Sequence, residues 1–532
     1  MNKFYYFYNP VCTGANTPTA FESDPYVTLV KELFIIELRQ LVFYIEKLKS
    51  VDIDMTLYTD KVIEFISVLI VNLDFKKESF FVIFEDLYNN KIMLKKMYIS
   101  ACEKLATTPD LLIENDENLN SKDVILNIIN DKTNNLYNLK NKEKITKTQK
   151  YLYEIIISLV LNACNCLIEL KNYGIDFDDG KNSVLKLLNS ANFINKTDDE
   201  LKQIIFEFSK SNYQIVNLLY EKISDTFGEV SLSKVNICKK QGKAILVSGK
   251  SLEDLDKILI AIKGLNINVY THNGMINAFQ YEYFKNNPNL AGHYQYAENN
   301  YSIDFASFPG PIYISGNAAP KVDIIRGQIY TSAKYPANGI AKIINNDFTP
   351  LIKYALDSKG FDTEIQYGNL SIGYDNLQIS EQLNKLVNQI KNGQVQRLII
   401  IGSTEIYSSE NEYINDLISE CSDTDFIMSF SNYSRKNNFW KVNYIFDFYL
   451  LYKILKEIMP VINEYNVKVA IFFNDCNRNV VSHIFNLLYL NVKNIYLGQC
   501  CPNIIKPVLT LGLKEIFGVK PFINPKKDLE II

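Results

Sequence analysis

At residues 248–251 the chain reads SGKS, where the apolar run AILV gives way to a helical pattern, SLEDLDKILIAIKGL. A lysine behind a glycine at a strand-to-helix turn invites phosphate binding, in which backbone amides and an ammonium cradle an anion. The full GxxxxGK[ST] pattern fails: its first glycine falls on Ala244, and no Gly-rich loop precedes Gly249. An ordinary turn with Ser251 near the helix N-cap is the simpler reading. Cys164 and Cys166 lie two apart on a helical stretch, so their thiols point away from one another and suit structural roles. Cys500 and Cys501, in LGQCCPN, follow a strand end, yet no second cysteine pair or histidine stands at zinc-like spacing. His272, His293 and His483 are far apart, His483 falls on an apolar helix face, and no GxSxG elbow is present.

The elements that would position these groups change character once along the chain. From Asp24 to about Gly228 apolar residues recur at three- and four-residue spacing, as in DPYVTLVKELFIIELRQLVFYIEKLKS, with further helical stretches at 59–75, 78–105, 149–172, 183–191 and 198–227. Residues 121–150 are charged and Asn-rich and read as a solvated connection between two bundles. After Gly242, short apolar runs alternate with amphipathic helices, the rhythm of parallel sheets, and a second such set begins near 395. The predicted fold class is multi-domain α and α/β: N-terminal helical bundles over 1–238, then two Rossmann-like doubly wound parallel-sheet domains over 239–378 and 379–532. In such sheets ligands lie at the carboxyl ends of strands, here SGKS, THNGM, SGNA, IGST and FFNDCN.

Composition narrows the partners. Lys plus Arg number 56 against 60 Asp plus Glu, a net charge of −4, so no basic excess points to nucleic acid. The longest apolar runs, such as LFIIEL and ILIAI, are broken by charge, so no membrane span is expected. Nine scattered cysteines, an odd number, predict reduced thiols, with the cytoplasm as the default compartment.

Several segments resemble one family, the hybrid-cluster proteins, also called prismane proteins or hydroxylamine reductases. The likeness is carried by KVNICKKQGKAILVSGKSLEDL, INVYTHNGM, NPNLAGHYQYAENNYSIDFASFPGPIYISGNA and LYLNVKNIYLG, and more weakly by VLIVNLDF in the helical half. The resemblance implies a helical domain followed by two Rossmann-like domains. It also implies two iron–sulfur centres: a cubane held by four cysteines near the N-terminus, and a hybrid iron–sulfur–oxygen cluster that reduces hydroxylamine or nitric oxide. Such iron is held by soft thiolates, supplemented here by His and Glu.

Followed residue by residue, the resemblance meets a stripped site. The first two cubane cysteines fall on Tyr5 and Tyr8 of FYYFYN, Cys12 matches the third, and the fourth falls near Pro18. At the hybrid cluster, Lys250 stands for the family's histidine, Gly274 for a glutamate and Ala318 for a cysteine. Ser403 replaces the persulfide cysteine, Phe430 and Val442 fall at the next two cysteines, and Asn477 stands for the second glutamate. A hydroxyl, an ammonium and apolar side chains do not replace thiolates. The expectation is therefore a degenerate homologue without either iron–sulfur centre, a pseudoenzyme acting through binding, with a protein partner that the sequence does not identify. Two alternatives stand beside it: a hydroxylamine or nitric oxide reductase holding its cluster through unusual ligands, and a small-anion or metabolite binder in a cavity lined by Lys250, His272, Ser403 and Asn477.

Overall fold

A computed structural model of the protein describes residues 25–70, 77–112, 146–193, 196–294, 301–315, 328–333, 336, 339–403, 411–430, 433, 435, 437–442, 447–474, 480–498 and 507–532. Most of the connection expected at 121–150, and the aromatic start at 4–8, lie outside the described residues.

Six helices come first among the described residues: α1 (Pro25–Lys49), α2 (Thr56–Ile70), α3 (Lys77–Lys104), α4 (Lys147–Asn172), α5 (Asp178–Ser190) and α6 (Asp198–Phe227). They form where the three- and four-residue apolar spacing predicts them. α4 begins at a reciprocal capping box, Thr146 accepting from the Gln149 amide while the Gln149 side chain bonds the Thr146 amide. α1 packs on α2, α3 and α5, and α4 on α2 and α5, which buries Phe34, Tyr44, Phe84, Leu152 and Ile156 completely. Two buried ammonium groups are matched by carboxylates. Lys91 meets Glu37 at 2.6 Å, and Lys181 meets Asp60, Asp176 and Asp178 at 2.6, 2.6 and 2.8 Å. The expectation that no segment suits a membrane needs one amendment: α4 is long and apolar enough to cross a bilayer, although 67% of its apolar window is buried within the fold.

The chain then runs β1 (Ser233–Lys239), β2 (Lys243–Ser248), α7 (Leu252–Ala261), β3 (Ile267–His272), a 3-10 turn (Asn273–Gln280), α8 (Glu282–Lys285), β4 (Leu290–His293), α9 (Tyr301–Ser307), β5 (Ile312–Ile314), β6 (Ile329–Thr331), β7 (Ile340–Lys342), α10 (Thr349–Asp357) and β8 (Ile365–Ile372). These eight strands form one sheet in the order β7-β6-β5-β2-β3-β4-β1-β8. All neighbours are parallel except β1 and β8, which run antiparallel. Next come α11 (Asn376–Lys391), β9 (Arg397–Ser403), α12 (Asn411–Glu420), β10 (Asp425–Phe430), β11 (Phe439–Lys441), α13 (Phe448–Glu464), β12 (Lys468–Asn474), α14 (Val480–Tyr489), β13 (Asn494–Leu497), α15 (Pro507–Phe517), β14 (Lys520–Pro521) and α16 (Pro525–Glu530). Their sheet is wholly parallel, in the order β11-β10-β9-β12-β13-β14. The near-continuous apolar runs RLIIIGS and KVAIFFN are what a strand covered on both faces requires, and Ile399, Ile401, Ala470 and Phe472 are fully buried.

The helices up to Val216 form one compact unit, and a second unit begins at Asn217 and holds both sheets. The division thus falls inside α6, ahead of the boundary expected at 238/239, and β1 already belongs to the first sheet from Ser233. The boundary expected at 378/379 lies within α11, whose N-cap Asp375 accepts from the amides of Leu377 and Gln378.

Candidate functional site

Strand order alone marks two places. In the first sheet the chain progresses from β2 through β3 to β4 on one side and through β5 and β6 to β7 on the other, so the order reverses between β2 and β5. In the second sheet it reverses between β9 and β12. A crevice outside the carboxyl ends of strands opens at such reversals, and ligands of open α/β sheets bind there. SGKS follows β2, the segment 315–318 follows β5, Ser403 ends β9 and Asn474 ends β12. These are the strand ends picked out in the sequence.

At the first reversal the backbone is tightly held. Ser315 donates its amide to Ser248 O at 2.7 Å, and its hydroxyl accepts from the Ser251 amide at 2.9 Å. Gly249 sits between with φ of 129°, and a Cβ there would lie 2.3 Å from Ser315 O, so only glycine fits the turn. Ser251 caps α7 by accepting from the Asp254 amide, as the simpler reading of SGKS requires. Lys250 projects from this turn and is exposed. Its stem packs on Gly274: a Cβ built on Gly274 would stand 3.0 Å from Lys250 Cγ. The two positions are neighbours in space.

Beneath the turn is a buried polar chain. Ser248 and His272 are register partners on β2 and β3. Ser248 Oγ lies 2.9 Å from His272 Nδ1, and His272 Nε2 lies 3.4 Å from Asp304 Oδ2 on α9. The ring stands 5.1 Å from Phe305 and is wholly buried, as is Asp304. His272 is therefore an interior residue engaged by two partners. Ser248 and Asp304 were not singled out in the sequence, because no local spacing links residues 24 and 32 positions away from the histidine.

The second reversal is dominated by apolar groups. Phe430 ends β10 opposite Gly402 of β9 and is fully buried. Val442, just past β11, donates its amide to Ser429 O and is buried too. Ser403 ends β9 opposite Asn474 of β12. On the helices behind, His483 of α14 stacks on Phe448 of α13 at 3.8 Å and 5°. Its Nδ1 lies 2.7 Å from the Tyr452 hydroxyl, which also accepts from Asn486 Nδ2. Burial first, and then the positive charge of Lys250, push His483 down to about 3. The lysine of the first sheet thus acts on a histidine of the second.

Tyr5, Tyr8, Cys12, Ala318 and Asn477, with Cys476, Cys500 and Cys501, lie outside the described residues. Where the resemblance calls for cluster ligands, the described positions offer an ammonium at Lys250, no side chain at Gly274, and buried hydrocarbon at Phe430 and Val442. Among the described residues no three His, Cys, Asp or Glu side chains converge as metal ligands do. The donor set at these positions does not fit an iron–sulfur centre, which demands thiolates. The described thiols lie elsewhere. Cys164 is held well above the ordinary thiol range, first by burial and then by Cys166, and burial with the Asp425 charge raises Cys421 to about 12.

The chain is similar to several known proteins. A carbon monoxide dehydrogenase IV from Carboxydothermus hydrogenoformans superposes over 94% of this chain and 87% of its own, with a TM-score of 0.46 and 10% identity. A hydroxylamine reductase of Methanocella arvoryzae (strain DSM 22066 / NBRC 105507 / MRE50) is 26% identical over 338 residues, covering 60% of this chain and 62% of the relative, so the match spans less than two thirds of that protein. The Prismane/CO dehydrogenase family matches residues 84–429. With most of its length matched, the chain belongs to the Prismane/CO dehydrogenase family.

Proposed function

We propose that this chain is a ligand-stripped member of its family, a pseudoenzyme that has lost both iron–sulfur centres and works by binding, as the partner of another protein. The observation that carries this reading is the replacement at the strand ends: Phe430 and Val442 bury hydrocarbon, and Lys250 rests on Gly274, at positions where soft or anionic donors would grip iron. A coherent scaffold supports it, since the strand-to-helix turn at Gly249, the caps of α7 and α13 and the packed sheets all agree locally and globally. Fold persists where chemistry is lost.

The test is the iron and acid-labile sulfide content of protein purified and reconstituted without oxygen. Colourless protein with iron far below one atom per chain is expected. Stoichiometric iron with visible charge-transfer absorption would restore the rival reading, a reductase of the kind named for the Methanocella arvoryzae relative. One observation favours a second mode of binding: Lys250 is exposed and has no ion-pair partner among the described residues, so a small anion is a fitting occupant of that turn. Thermal stabilisation by inorganic phosphate that disappears in Lys250→Met would support it, and no shift in the parent chain would remove it.

A further inference from the structure

We propose that Ser248, His272 and Asp304 form a nucleophilic serine site that transfers a small acyl group from an ester to water. This goes beyond the binding function proposed above and holds whether or not the chain carries iron.

The chemistry requires a hydroxyl, a base within hydrogen-bond reach of it, and a third group that orients the base. All three are present in one line. Ser248 and His272 end adjacent parallel strands in register, so their side chains leave the same face of the sheet. The 2.9 Å contact joins Ser248 Oγ to Nδ1, and the 3.4 Å contact joins Nε2 to the Asp304 carboxylate. With the ring proton on Nε2 facing that carboxylate, Nδ1 presents a lone pair to the serine hydroxyl. The ring is used in the opposite sense to the familiar protease triad, but each atom has the same task.

The surroundings favour the same conclusion. Ser248, His272 and Asp304 are 7%, 0% and 0% exposed, so the carboxylate is little screened by solvent. Phe305 and His293 flank the imidazole, at 5.1 and 6.5 Å. Ser315 fixes the serine from the other side, donating to Ser248 O and bridging to Ser251. Gly249 removes any side chain from the residue next to the nucleophile.

In the first half-reaction Ser248 Oγ bonds to the ester carbonyl carbon and its proton passes to His272 Nδ1. The imidazolium, held by Asp304, gives that proton to the departing alkoxide as the ester C–O bond breaks, leaving acyl-Ser248. Water, deprotonated by the same nitrogen, then attacks the acyl carbon; the acid leaves and Ser248 recovers its proton. His272 and Ser248 are catalytic here, and Asp304 is a positioning residue.

The experiment exposes the full-length chain to an alkyl fluorophosphonate, which phosphonylates activated serines with loss of fluoride, and maps the adduct by mass spectrometry. A single adduct on the peptide bearing Ser248 is expected, absent in Ser248→Ala. Labelling should slow by about 100-fold or more in Asp304→Asn, the scale of a lost acid–base function, and recover in part in Asp304→Glu. The proposal is overturned if the folded parent chain gives no adduct at Ser248, if the urea-unfolded chain labels as fast, or if Asp304→Asn labels at the parent rate. Since the parent chain alone decides the first point, a variant that fails to fold does not shield the proposal. The binding reading is judged separately by iron content.

Discussion

Replacing Asp425 by Asn should loosen the second sheet at the end opposite its candidate site. Asp425 begins β10, is fully buried, and takes a two-pronged contact from its register partner Arg397, at 2.6 and 2.7 Å, together with the Ser422 amide at 2.6 Å. Breaking a buried ion pair by removing one partner costs about 3–5 kcal/mol, because the remaining charge stays uncompensated. Arg397 is 23% exposed and keeps its bond to Leu529 O, so solvent recovers part of the loss, and about 2–3 kcal/mol is the expected cost after that discount. The sequence has one tryptophan, Trp440, which lies buried in β11 beside Met428 of β10 and so reports this sheet specifically. With a urea slope of about 2 kcal/mol per molar, its fluorescence midpoint should fall by roughly 1–1.5 M in Asp425→Asn. The effect must also depend on pH in one direction. Burial pushes the Asp425 carboxyl up, but the hydrogen bonds from Arg397 and the Ser422 amide outweigh it, and the net shift is downward from 3.8. Stability from this group is therefore full above the ordinary carboxylate value and fades as the pH falls through the lower folded value, so parent and variant should converge in acid. A midpoint shift below about 0.3 M at neutral pH, which that slope converts to well under 1 kcal/mol, would refute the reasoning.

Other perturbations have equally definite outcomes. His483, lowered to about 3 by burial and the Lys250 charge, should show no titration of its ring signals by nuclear magnetic resonance between pH 5 and 8. The unfolded chain binds the extra proton, so this histidine withdraws stability as the pH falls from the ordinary value of 6.5 towards about 3; a ring shift titrating near neutrality would contradict that. Gly249→Ala places a Cβ against Ser315 O at a φ of 129°, and a melting temperature lowered by several degrees is expected; an unchanged melting temperature would contradict the tight turn. Cys421, raised to about 12, should resist a disulfide reagent at pH 8 in the folded chain and react once urea unfolds it.

Much of the architecture was legible because it rests on local periodicity. The three- and four-residue spacing of VKELFIIELRQLVFYI marks α1, and the unbroken apolar runs RLIIIG and KVAIFF mark the doubly covered β9 and β12. Ser251 as an N-cap and His483 on an apolar helix face were readable for the same reason. The start of the first sheet was not, since SKVNICK alternates weakly and becomes a strand only through its partners β4 and β8. The pairing of Ser248 with His272 and Asp304 was equally hidden, being decided by the register of β2 on β3 and the seat of α9. Lys250 and Gly274 were linked only through the family resemblance; that the lysine stem lies against the glycine was not readable.

The antiparallel strand at the edge of the first sheet has a consequence for synthesis on the ribosome. β1 pairs with β8 from Ser233↔Ile372 to Lys239↔Ile365, so its outer edge stays open until the chain has grown past residue 372. Every other strand of that sheet is translated in the interval. An emerging polypeptide therefore leaves that strand edge unsealed for the whole of that stretch.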